Sequence, residues 1–108
     1  MKHIFGNVAD IASKELLPGF HGRMIHTDRM TIAHFDIEAN SILPEHHHPQ
    51  EQVTTVISGA LEMTINGETK VCRAGDYAVI PGNVPHSAVA LEDCRVIDVF
   101  QPARDDYK

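Results

Sequence analysis

Two stretches of the chain hold the residues best suited to chemistry. One is Pro44-Glu45-His46-His47-His48-Pro49-Gln50-Glu51-Gln52, and the other is Ile80-Pro81-Gly82-Asn83-Val84-Pro85-His86. Neutral imidazole is the commonest protein ligand for divalent transition metals. On an extended strand, residues two apart point the same way. His46 and His48 can therefore reach one ion together while His47 faces away, and Gln52 keeps the same parity. His86 lies far downstream and would close the site from a second strand. Three adjacent histidines also fit a solvated loop. The second run, with its own spacing, argues against that reading.

Such ligands need a rigid frame, and the sequence from residue 23 onward reads as strands and turns. Candidate strands are Arg23–His26, Met30–Ile37, Glu45–His48, Gln52–Ser58, Ala60–Ile65, Glu68–Cys72, Tyr77–Ile80, His86–Ala90 and Cys94–Phe100. Asn66-Gly67 signals a tight hairpin, because a type I′ turn needs positive φ at both central residues. Ser58-Gly59, Ala74-Gly75-Asp76 and Pro81-Gly82-Asn83 mark further turns. Alternation puts Leu61, Met63 and Ile65 on a core face, with Glu62 and Thr64 opposite. Glu68, Lys70 and Arg73 read as solvated charges. Before the strands, Val8 to Leu17 is expected to form a short helix ended by Pro18-Gly19. Many short strands at this density indicate a β-sandwich or barrel.

Composition limits the function. A chain of 108 residues is expected to be one domain, 1–108, with one modest core. A net charge of −6 argues against a nucleic-acid partner. It permits a small anionic substrate, since a metal and one arginine can dominate a pocket's field. No apolar run approaches the roughly 20 residues of a membrane helix, and residues 1–6 do not resemble a secretion signal. A cytoplasmic location without membrane contact is therefore expected. Cys72 and Cys94 show no CxxC spacing and read as reduced, partly buried thiols.

The two histidine runs resemble the paired motifs of the cupins. The first cupin motif, Gly-x5-His-x-His-x3–4-Glu-x6-Gly, corresponds to Asn40, His46, His48, Gln52 and Gly59. The second, Gly-x5-Pro-x-Gly-x2-His-x3-Asn, corresponds to Gly75, Pro81, Asn83, His86 and Ala90. Asn at 40 and 83 is a mild departure, because Asn tolerates positive φ. Gln52 and Ala90 replace the Glu and Asn of the motifs. The resemblance implies an all-β double-stranded β-helix, or jelly roll, and a divalent metal held by His46, His48, Gln52 and His86. Spacing and parity favour Gln52 as the fourth ligand, with Glu51 the alternative. A His3-Gln set is neutral and leaves the ion's charge free to act on an anionic ligand. Ni, Zn, Mn and Fe all remain open.

The C-terminal stretch narrows the reading. Val96, Asp98 and Phe100 share one strand face, so Asp98 is a carboxylate among apolar neighbours, costly to bury unless paired. Such groups gather at functional sites, although an Asp on the barrel rim paired with a surface cation fits as well. Arg104 follows a strand-ending proline and could fold over the barrel mouth, where its fork would match a carboxylate. An exposed charge beside Asp105 and Asp106 is the simpler reading.

The phrases Gly22-Arg23-Met24, Met30-Thr31, Leu43-Pro44-Glu45-His46, Glu51-Gln52, Ile80-Pro81 and Val96-Ile97-Asp98-Val99-Phe100…Arg104-x-Asp106-Tyr107 are similar to the pectin-degradation cupins. Members of that family convert 4,5-unsaturated monouronates, from pectin or alginate breakdown, to linear ketonised sugars. The resemblance implies catalytic roles for Asp98, Phe100 and Arg104, a small anionic sugar as substrate, and a homodimer paired through sheet edges. Arg23, His26 and His34 are secondary pocket candidates; His3 and His21 carry no signal. The competing expectations are another metallo-cupin enzyme, such as a dioxygenase or sugar isomerase, and a non-catalytic binding cupin.

Overall fold

Strands that alternate apolar and polar residues must bury one face, and two such sheets can bury theirs against each other. A computed structural model of residues 1–108 shows this arrangement. In chain order the strands are β1 (Lys14–Leu17), β2 (Phe20–His26), β3 (Thr31–Ile37), β4 (Ile42–His46), β5 (Glu51–Ser58), β6 (Ala60–Ile65), β7 (Glu68–Arg73), β8 (Tyr77–Ile80), β9 (His86–Ala90) and β10 (Cys94–Gln101). One sheet runs β1-β2-β3-β10-β5-β8 and the other β4-β9-β6-β7, with antiparallel pairing throughout. Neighbours within a sheet are mostly distant in sequence. This is the double-stranded β-helix.

The alternation decides what is inside. In β10, Cys94, Val96, Asp98 and Phe100 are buried, while Arg95, Ile97, Val99 and Gln101 face outward. In β6, Leu61 and Met63 are buried as expected. They join Phe20, Phe35, Val56, Ile80 and others in a single apolar cluster. Each such side chain contributes roughly 1.5–3 kcal/mol by leaving water.

Turn chemistry sets the strand ends. Asn66 and Gly67 take φ of 48° and 83°, as the hairpin between β6 and β7 requires. Asn40 and Asn83 take φ of 71° and 64° where the motifs have glycine. Both cysteines are buried and unbonded to each other.

The first element differs from the expected helix. Residues Val8–Asp10 form one 3₁₀ turn capped by Asn7, and Lys14–Leu17 is a strand paired to β2. The apolar residues there lack helical period, and Leu16 and Leu17 gain more by packing against the core cluster than by joining a marginal helix. The strand expected at Glu45–His48 also shifts: β4 begins at Ile42 and ends at His46, before Pro49. No helix is long and apolar enough to cross a membrane.

Candidate metal centre

Cross-strand register places the histidines. His46 at the end of β4 pairs with His86 at the start of β9. His48 follows in the loop to β5. The ring centroids of His46 and His86 are 4.3 Å apart, those of His48 and His86 4.9 Å, and those of His46 and His48 5.6 Å. One nitrogen from each ring lies within 4.8 Å of the others. His47 is exposed on the other side.

The rings are held for donation toward a common centre. Nδ1 of His46 donates to the Pro44 carbonyl at 2.9 Å, that of His48 to Gln50 at 3.0 Å, and that of His86 to Val84 at 2.9 Å. Each backbone acceptor fixes the proton on Nδ1 and leaves a lone pair on Nε2. The buried Nε2 of His86 has no protein partner, as expected of an atom meant for an ion. Burial, assisted by the Arg104 charge, lowers the pKa of His48, and burial pushes His86 down to about 4. Both rings are neutral near pH 7, as metal ligation requires.

Gln52 opens β5 on the same side. Its Oε1 lies 3.1 Å from Nε2 of His48, and its Nε2 donates to Thr54 Oγ1 at 2.9 Å and to Asp98 Oδ1 at 3.2 Å. The amide oxygen is thereby turned toward the imidazoles. Gln52 is buried and Glu51 is exposed on the opposite face of the strand. The triad, with His46 half-buried and His48 and His86 buried, fits a metal site, and its donor set of imidazoles and an amide suits a borderline divalent ion.

Asp98 sits opposite Thr54 in the register of β10 and β5. Thr54 Oγ1 donates to its Oδ1 at 2.5 Å. Burial raises the Asp98 carboxyl to about 6, against the lowering effect of the Thr54 and Gln52 hydrogen bonds and of Arg104. The alternative of a rim carboxylate paired to a surface cation does not hold, because Asp98 is 8% exposed and no cation contacts it directly.

Arg104 is not an exposed tail charge. It is 8% exposed, and its backbone N–H donates to the buried Thr31 hydroxyl at 2.9 Å. Its guanidinium carbon lies 4.1 Å over Tyr107 and 4.9 Å over Phe100. The expected fork-to-carboxylate match does form, but with the chain's own Asp106: Nε donates to Oδ1 at 3.0 Å and Nη2 to Oδ2 at 2.8 Å. The 3₁₀ turn at Asp105–Tyr107 brings that carboxylate back beside the arginine. Nη1 remains buried without an acceptor. Burial works against the charge, but the Asp106 hydrogen bonds, with Tyr107 and Asp98 adding, outweigh it and raise the Arg104 pKa.

His46, Gln52, Thr54, His86, Asp98, Phe100, Arg104 and Tyr107 line one cavity together with apolar residues that include Leu43, Leu61, Met63 and Val96. The Phe100 ring lies 5.6 Å from those of His48 and Tyr107. The secondary candidates fall elsewhere. Arg23 and His34 face each other on the outer side of the six-stranded sheet, and His26 bonds Thr31 at 2.9 Å outside the cavity. Their strand parity, or their place at a strand end, takes them away. Sequence reasoning gave no role to Thr54, Asp106 or Tyr107. Thr54 was accessible through parity with Gln52; the clamp by Asp106 depends on a turn with no strong signal.

Comparison with known proteins matches this frame. A family described as "Cupin domain" covers residues 33–100. The pectin degradation protein KdgF of Dickeya dadantii is 35% identical over 65 residues, which is 59% of this chain and 59% of that relative. The match thus spans less than two thirds of that relative's length. The structure of KdgF from Halomonas sp. superposes with a TM-score of 0.93 at 30% identity, over 99% of this chain and 100% of the other. An RmlC-like cupin from Shewanella frigidimarina gives a TM-score of 0.93 at 25% identity, over 99% and 97%. With its barrel, its motif residues in register and this family match, the chain belongs to the cupins.

Proposed function

We propose that the protein is a metal-dependent catalyst that converts 4,5-unsaturated monouronates to linear 4-deoxy-5-keto-uronates. The single observation that carries this reading is one cavity lined by His46, His86 and Gln52, with His48 in reach of the same point, together with a buried carboxyl and a buried guanidinium. Likeness to KdgF proteins supports the substrate class. His46, His48, His86 and Gln52 would hold the ion, which supplies Lewis acidity toward substrate oxygens when bound.

The remaining work falls to the chain. The substrate is a cyclic enol ether bearing a carboxylate at C5. Opening at the anomeric centre leaves an aldehyde at C1 and an enol at C5. Ketonisation removes the enol hydroxyl proton and adds one at C4, so the formula is unchanged. Asp98 is the general acid/base that moves this proton; a carboxyl near 6 can both hold and release one near neutrality. Thr54 and Gln52 both donate to its Oδ1 and so fix the carboxyl's orientation. Arg104 fixes the substrate carboxylate through its charge and through Nη1, and Phe100 gives the sugar an apolar wall. In this reading the chain is one domain and works as a cytoplasmic homodimer.

The test is Asp98→Ala. It should abolish ketone formation from an unsaturated galacturonate while metal content stays near wild type. Intact activity would make Asp98 structural.

A further inference from the structure

Strand β10 ends at Gln101, and the residues that follow take no part in either sheet. A buried peptide there must find its partners among side chains or water. The peptide joining Ala103 to Arg104 finds both in the protein. Its carbonyl accepts from Gln50 Nε2 at 3.3 Å, and its N–H donates to Thr31 Oγ1 at 2.9 Å. Neither end has a backbone partner. Gln50 is buried, and Thr31 is 0% exposed. His26 Nδ1 lies 2.9 Å from the same hydroxyl and holds it in place.

Packing alone does not explain Gln50. An amide can meet a carbonyl oxygen only with its NH2, so the side chain has one usable orientation. That orientation leaves Oε1 buried without a partner, a cost that an apolar side chain of the same length would avoid. The backbone of Gln50 is engaged as well, because its carbonyl accepts from Nδ1 of His48 at 3.0 Å. One residue thus touches both the ligand loop and the segment that carries Arg104.

That segment needs an anchor. The fork of Arg104 binds Asp106, two residues on, so both groups hang from one short stretch of chain. Their bonds fix the guanidinium relative to the stretch and not relative to the barrel. The 103–104 peptide carries the only hydrogen bonds between residues 102–108 and the rest of the chain.

We propose that Gln50 and Thr31 are positioning residues, which hold the Ala103–Arg104 peptide from two sides and so aim the Arg104 guanidinium into the cavity. Thr31 ties the peptide to β3, and Gln50 ties it to the loop of His48. The separation between the imidazoles and the free Nη1 of Arg104 is set through Gln50. A carboxylate ligand that reaches both the ion and the arginine needs that separation held. The ligand's identity rests on the uronate reading; the clamp does not.

Two variants of the full chain test this. Gln50→Met keeps the length and removes the donor, and Thr31→Val keeps the shape and removes the acceptor. In both, amide hydrogen exchange of zinc-loaded protein should speed about tenfold at Arg104, the scale of one neutral hydrogen bond, while Val96 and Asp98 keep wild-type rates. The Arg104 Nε–H order parameter should fall from about 0.85 to below about 0.6. KM for 4,5-unsaturated galacturonate should rise about fivefold with kcat little changed, the signature of lost uniform binding. Bound zinc should stay near wild type, since Gln50→Met retains the backbone carbonyl that serves His48. Thr31→Ser restores the hydroxyl and should bring exchange and KM back close to wild type. Unchanged Arg104 exchange in both variants overturns the clamp. Faster exchange with an unmoved order parameter and KM overturns the aiming role, and so does a loss confined to bound zinc. If wild type turns over no uronate, the uronate reading fails by itself, and exchange and the order parameter still decide the proposal.

Discussion

At the residue scale, each imidazole is positioned by a backbone carbonyl on its Nδ1, so removal of one ring should lose the ion rather than weaken it slightly. His48→Ala should drop bound metal, measured by elemental analysis after dialysis, from near one per chain to below a tenth; retention near wild type would mean these rings are not the ligands. A second outcome concerns the buried carboxyl. Asp98 is pushed up to about 6, whereas an unfolded aspartate sits near 3.9. The folded state therefore binds more protons in that window, and its stability falls as pH rises through it, by about 3 kcal/mol in all. The lowered imidazoles of His48 and His86 act in the opposite sense, since an unfolded histidine binds the proton first. The difference between Asp98→Asn and wild type isolates the carboxyl. In chelator-stripped protein, denaturant titration should show the variant gaining on wild type from pH 4 to pH 7. A constant difference would mean the carboxyl titrates normally.

At the element scale, the site depends on how the β8–β9 turn seats against the ligand loop. Asn83 N–H donates to the His48 carbonyl at 2.7 Å, and a Cβ at Gly82 would stand 2.5 Å from the Pro49 carbonyl oxygen. Gly67 is a different case: φ is positive, but a Cβ there would meet open space. Gly82→Ala should displace the His48 loop and raise the metal dissociation constant at least tenfold. Gly67→Ala should cost about 1 kcal/mol of stability and leave metal binding alone. Paired metal titrations and melts check this, and equal metal affinity in both variants would contradict it. The sequence motif left position 82 unspecified, because a close approach of two backbones leaves no periodic trace. Turn and strand signals did transmit well. The Asn66-Gly67 hairpin and the bounds of Ala60–Ile65, Tyr77–Ile80 and His86–Ala90 match the structure. Residues 8–17 did not, because their form is decided by pairing to β2, a contact that local propensity does not record.

At the scale of the whole molecule, the barrel converts two short motifs into one enclosed site. His46 meets His86, and Asp98 meets Thr54, only because β4 lies against β9 and β10 against β5. Spacing grouped His46, His48 and Gln52 in advance, although His48 sits in the loop after β4 rather than on the expected strand, and parity grouped Asp98 with Val96 and Phe100 while leaving rim or interior open. The conversion of the Arg104 fork into a clamp with Asp106 was not legible, since it arises from a turn after the last strand. The clamp makes a prediction of its own: Asp106→Ala should raise KM for an anionic uronate several-fold more than it lowers kcat, by freeing Arg104 from its fixed pose. An unchanged KM would show that the clamp is unrelated to substrate.

The most direct measurement is proton NMR of 4,5-unsaturated galacturonate with metal-loaded protein. The expected result is loss of the C4 vinyl signal and growth of C4 methylene signals beside a C5 ketone, much faster than with the chelated protein or with buffer. Decay at the buffer rate with fully loaded protein would contradict the account.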